Sequence, residues 1–125
     1  MLWELNDDLS FGFDILKKSS YYEAWSVELK RGEYYRFKAL CEKLKKTYAS
    51  IGTTAFLVYD NQVHTAHGAD VSILWSFNTY DEWAKDLGAK ATYEKMYGEG
   101  SWQQLLDEWR DITVDYSSEI RSFVK

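Results

Sequence analysis

Proline is absent from the 125 residues, so no Pro-rich linker divides the chain. Cysteine occurs once, at Cys41, which excludes an internal disulfide and fits a reducing compartment without requiring one. No apolar run approaches the length of a membrane span. The start, "MLWELNDDLS", is acidic where a secretion signal needs a basic end and an apolar stretch. If these are the true ends, a cytoplasmic protein is expected. Basic charge is also short: 15 Lys and Arg stand against 20 Asp and Glu, a net charge of −5. A nucleic-acid binder replaces phosphate counterions with a basic patch. The densest basic group here is Lys43, Lys45 and Lys46, with Arg36 and Lys38 before it and Glu42 between. That pattern reads as the wet face of a helix. Neither a nucleic acid nor a membrane is an expected partner.

Several catalytic signatures are missing as well. The chain has no Gly-x-Ser-x-Gly, no P-loop and no G-x-G-x-x-G. "YGEGS" is too short and too acidic to cradle phosphate. Histidine occurs twice, as His64 and His67 in "NQVHTAHGAD". Two His at that spacing face one way on a helix, but on an extended chain they point to opposite sides. Zinc wants three or four ligands, and Asp60, Asp70 and Cys41 lack metal-ligand spacing. The stretch reads as a loop, and no metal site is expected. One axial histidine suffices for haem, which keeps a haem-handling reading open. Cys41 sits at an apolar helix position between Leu40 and Leu44 and reads as core.

What the chain has in plenty is aromatic side chains: 6 Trp, 10 Tyr and 6 Phe. Much of this fills core, and the remainder suits a pocket or an interface. The apolar pattern orders the elements. "YEAWSVELKR" alternates, with Trp25, Val27 and Leu29 on one face, and predicts a strand ended at Gly32. "EYYRFKALCEKLKKTYAS" changes to the helical period through Phe37, Leu40, Cys41, Leu44 and Tyr48, and Gly52 closes it. "TTAFLVYD" and "ADVSILWSFNT" predict two strands joined as a hairpin through the histidine stretch. Thr79 and Glu82 form a capping box that starts a helix at Tyr80, with Trp83, Ala84 and Leu87 on its apolar side. Ser101 and Gln104 form a second box before a stripe of Trp102, Leu105, Leu106, Trp109 and Ile112. "ITVDYSSEIRSFVK" predicts a last strand.

The order is β-α-β-β-α-β, an α+β, ferredoxin-like arrangement: a four-stranded antiparallel sheet with helices on one face. Leu74 and Phe56 lie on the opposite parity from Ile73 and Leu57, so both sheet faces carry apolar residues and the second needs a cover. A homodimer packing sheet on sheet would supply it.

"WSVELKRGEYYRFKALCEKL", "VSILWSFNTYDEWAK" and "ITVDYSSEIRSFV" together resemble the dimeric α/β-barrel superfamily, which includes antibiotic-biosynthesis-type monooxygenases and many uncharacterised bacterial proteins. The resemblance implies a homodimer with a small-molecule pocket between each sheet and its helices. It implies no single chemistry. Residues 21–125 form the domain on this reading, and 1–20 are an extension. "WELNDDLSFGFDIL" loosely echoes "DEWRDITVDYSSEI", with Asp7, Leu9 and Phe13 matching Asp111, Ile112 and Tyr116. Met1 to Leu16 is then the tail strand of a preceding similar domain, or a strand added to this one.

The candidate ligand-binding residues are Trp25, Tyr59, Trp75, Phe77 and Trp83. Tyr59, His64 and Glu28 are the candidate polar groups, with His64 or Glu28 as a base. The leading expectation is a homodimer that binds a small, largely apolar or aromatic molecule without a cofactor. Cofactor-free oxygenation is the most specific enzyme reading. A non-catalytic dimerisation or ligand-sensing module and a haem-handling protein are the alternatives.

Overall fold

The structure is a computed structural model that describes residues 3–61, 68–84 and 88–122, without the side chains of Trp83 and Ala84. Its strands are β1 (Trp3–Leu5), β2 (Tyr21–Leu29), β3 (Phe56–Asn61), β4 (Val71–Phe77) and β5 (Thr113–Ser122). Its helices are α1 (Phe13–Lys18), α2 (Tyr34–Ile51), α3 (Tyr80–Ala84), α4 (Ala89–Tyr97) and α5 (Ser101–Ile112), with a 3-10 turn at Asp7–Leu9. The fold is α+β, and all strand pairs are antiparallel in the order β1-β3-β4-β2-β5. This architecture is compatible with the ferredoxin-like class.

The sheet has five strands, not four. The extra one, β1, pairs Trp3, Glu4 and Leu5 with Asn61, Asp60 and Tyr59. The chain beyond β1 continues to satisfy the same edge. Asn6 N–H donates to the Val58 carbonyl at 2.8 Å, and Phe11 and Phe56 exchange both backbone bonds at 2.7 and 2.9 Å. Val58 N–H donates to Ser10 Oγ at 2.9 Å. The backbone groups of β3 on that side are thus paired from within the chain, and β1 forms the margin of the sheet there.

The helices do not all lie on one face. Trp25, Val27 and Leu29 of β2, Phe56 and Val58 of β3, and Ile73 and Trp75 of β4 pack under α2, α4 and α5. The opposite face carries Tyr22, Leu57, Tyr59 and Leu74, and there Ile15 and Leu16 of α1 cover them with Leu5. The physical reason was visible in the alternation: both parities of β3 and β4 are apolar, so a cover was required. The chain's own first helix supplies it on the β3–β4 half. Gly12 makes the turn into α1. Its φ is +84°, and a Cβ there would meet the Ala55 Cα at 3.2 Å, so backbone crosses backbone too closely for a side chain.

Between β4 and β5 the sequence predicts helices from Tyr80 and after Ser101; the structure has three among the described residues, with α4 added over Ala89–Tyr97. α3 begins at Tyr80 as the capping box requires: Glu82 N–H donates to Thr79 Oγ1 at 3.2 Å, and Asn78 N–H donates to Glu82 Oε2 at 2.6 Å. The Ser101 box does not form. Gly100 in the left-handed region is the N-cap, and the Ser101 hydroxyl turns back to donate to the Gly98 carbonyl at 2.6 Å. Glycines on either side of Glu99 let the chain reverse there without a side-chain cap. The basic cluster lies on α2's exposed side, and Cys41 lies fully buried beneath it. Burial pushes the Cys41 thiol well above its ordinary value, so it is core and not a nucleophile.

Candidate functional site: an aromatic cavity

Protein interiors are close-packed, so a cavity among large side chains stands out. Four of the tryptophans meet between the sheet and the helices. Trp25 comes from β2, Trp75 from β4, and Trp102 and Trp109 from α5. They line a cavity of about 400 Å³. Leu40, Leu44 and Tyr48 of α2 and Leu105 and Leu106 of α5 complete its walls, and Phe77 closes the end of β4. The size suits a ring-sized organic molecule.

The walls are held by ring contacts. Trp75 meets Phe56 edge-on at 5.6 Å and Tyr48 at 6.4 Å, while Tyr48 and Phe56 stack at 5.4 Å. At the other side Trp25 and Trp109 both rest on Tyr116 of β5, at 5.4 and 6.0 Å. Phe77 stacks on Tyr21 at 5.4 Å, and Tyr80 leans on the same ring at 5.0 Å. These contacts tie the wall rings to one another and to Phe56, Tyr116 and Tyr21 beside them.

Polar groups on the wall are few. They include Glu23, Thr54, Ser76 and Glu82. Ser76 Oγ accepts from Ala55 N–H at 2.9 Å, and Glu82 is engaged in capping α3. The Trp75 indole N–H is different: it is buried with no hydrogen-bond partner among the described residues. A buried donor without an acceptor costs on the order of 1–3 kcal/mol.

The structure brings three of the predicted ligand residues together: Trp25, Trp75 and Phe77 line the cavity. Tyr59 lies on the opposite face, packed in the α1 cluster. Burial raises its phenol above the ordinary value, with the neighbouring Tyr22 adding to the effect. Glu28 sits between Val27 and Leu29, whose side chains enter the helix-side core, so it points to the opposite face, in register with Asp115. His64 and His67 lie outside the described residues, as does the Trp83 side chain. Trp102, Trp109 and Glu23 were not singled out as ligand residues. The alternation of β2 places Glu23 on Trp25's parity, and the α5 stripe contains both tryptophans, so the signal existed. It was indistinguishable from core until the helices were placed.

Among the described residues, no three His, Cys, Asp or Glu side chains cluster to hold a metal ion, and no helix is long and apolar enough to cross a membrane. No family model matches the chain, and no curated protein matches it. Among solved structures, it is similar to the X-ray crystal structure of protein Atu4242 from Agrobacterium tumefaciens, a structural-genomics target. The TM-score is 0.55 at 16% identity, over 84% of this chain and 94% of that one. That likeness concerns the fold alone.

Proposed function

We propose that this protein binds a small, flat, largely apolar molecule in the cavity between sheet and helices. The observation that carries the reading is the meeting of four tryptophans around about 400 Å³ of space. A wall of this kind recognises a flat ring by contact area and orients it with few polar groups. The Trp75 N–H is the group we assign to meet a ligand oxygen. No chemical step is assigned. Cofactor-free oxygenation needs a base at the ligand; Glu28 points away from the cavity, and His64 lies outside the described residues.

The test is fluorescence titration with 2-naphthol, a flat apolar probe, alongside native mass spectrometry of protein purified undenatured. Saturable quenching or a retained extra mass is expected. Trp75→Phe removes the N–H and part of the ring area of the wall, and should weaken 2-naphthol about tenfold or more. No saturable signal and no retained mass would remove the reading.

A homodimer is the second part of the proposal. The apolar half of the far sheet face is already covered by α1. The other half pairs Tyr22, Ala24, Ser26 and Glu28 of β2 with Arg121, Glu119, Ser117 and Asp115 of β5. That half is too polar for sheet-on-sheet packing, and of the sheet's two margins the ten-residue β5 is longer than the three-residue β1, so we place the second copy at β5.

A further inference from the structure

We propose that β5 docks on the same strand of a second copy, antiparallel, about a two-fold axis through Ser118. The inference names the surface of the dimer proposed above and rests on that reading. β5 runs from Thr113 to Ser122 at the end of the sheet, with β2 its strand neighbour on one side. It is exposed from Val114 through Glu119. Such an edge offers outward N–H and C=O groups; at Tyr116 the N–H already donates to Asp115 Oδ1 at 2.9 Å, a bond that docking exchanges for the partner's.

The side chains select the partner and the register. Ser118 lies opposite Trp25, so the even-numbered residues of β5 share the helix side and the odd ones the far side. A two-fold axis that keeps both helix layers on one side pairs even with even and odd with odd. Centred on Ser117, the axis sets Asp115 against the partner's Glu119. Centred on Glu119, it sets that carboxylate against itself. Centred on Ile120, it pairs Glu119 with the partner's Arg121 but overlaps only the last residues of the strand.

Centred on Ser118, it sets Asp115 against the partner's Arg121, twice by symmetry, with Ser117 facing the partner's Glu119. On the helix side Tyr116 then faces the partner's Ile120, also twice. Aromatic against β-branched and acid against base are the favoured cross-strand pairs, and like charges directly opposite are destabilising. Arg121 already holds Glu119 at 2.6 Å, with both side chains more than half exposed. The partner's Asp115 would complete an acid–base–acid row. Charges that ordinarily guard an edge here match their own copy.

Sedimentation velocity over a dilution series tests this, with disulfide trapping beside it. The expected mass is about twice 14.7 kDa. Asp115→Arg should weaken the dimer about tenfold, and Asp115→Arg with Arg121→Asp should restore it. Ser118→Cys should cross-link to itself on mild oxidation, since facing Cα atoms in an antiparallel pair stand about 4.5–5.5 Å apart, within disulfide range. Cys41 is fully buried and does not compete. A monomer at every concentration overturns both the dimer and this surface. A dimer indifferent to the charge swap, with no cross-link in Ser118→Cys, overturns this surface and leaves the dimer reading. A cross-link in Ile120→Cys instead of Ser118→Cys overturns the register.

Discussion

The two faces of the sheet are built from the same strands and are packed in opposite ways. On the far face, Leu16 of α1, Ala55 just before β3 and Leu57 of β3 are buried together, with Leu5, Ile15, Leu74, Tyr22 and Tyr59 around them. The buried centre of this cluster is aliphatic. On the helix face four tryptophans stand among an aliphatic core and line an open cavity of about 400 Å³. The difference teaches that burial alone does not make a tight core; shape does.

Breaking the filled side should show the largest effect. Leu57→Ala opens a void where Leu57 is fully buried, and should cost about 2–5 kcal/mol in urea unfolding. Filling each side sharpens the contrast. Leu57→Phe overpacks and should cost about 1–3 kcal/mol. Leu106→Phe adds its ring toward the cavity, so its stability should stay within about 1 kcal/mol of the parent while 2-naphthol binding falls. Equal costs at the two sites would mean that the cavity closes in solution.

The smallest effect belongs to the contact that ties the two sides together at the β3 edge. Tyr34 of α2 donates to Asp60 Oδ1 at 2.9 Å, and Asn6 of the N-terminal segment donates to Oδ2 at 3.0 Å. Burial first, then the bond to Asp60, pushes the Tyr34 phenol up to about 12. The folded chain therefore keeps this proton after the unfolded chain has lost it near pH 10. The stabilisation is whole below pH 10 and declines as pH rises toward 12. Tyr34→Phe should flatten that decline in thermal melts; because the side chain is part exposed, the change will be modest.

Much of the fold was legible because its cues are local. The alternation of Trp25, Val27 and Leu29 and the helical period from Phe37 to Tyr48 each report one element's buried side. The Thr79–Glu82 box marked the start of α3 to the residue. The added strand and α1 were hidden for the converse reason. "WEL" is three residues long, and its pairing with Tyr59 to Asn61 spans more than fifty positions. Gly12 makes α1 possible only through its distance from Ala55, which no local pattern encodes. The cavity was half legible. Strand parity placed Trp25 and Trp75 on its side, but it could not show that α5 would bring Trp102 and Trp109 to meet them. Tyr59 and Glu28 were grouped with them by residue type, and parity sends them to the other face.

The shortest strand has a consequence of its own. By pairing along β3, β1 puts a three-residue margin where a six-residue one would stand, so the sheet ends in β1 on one side and in β5 on the other. A margin that short offers few backbone groups to an incoming strand. β5, at ten residues, offers a long one. Growth of the sheet by strand addition is thus biased to one side, and β1 is what blunts the other.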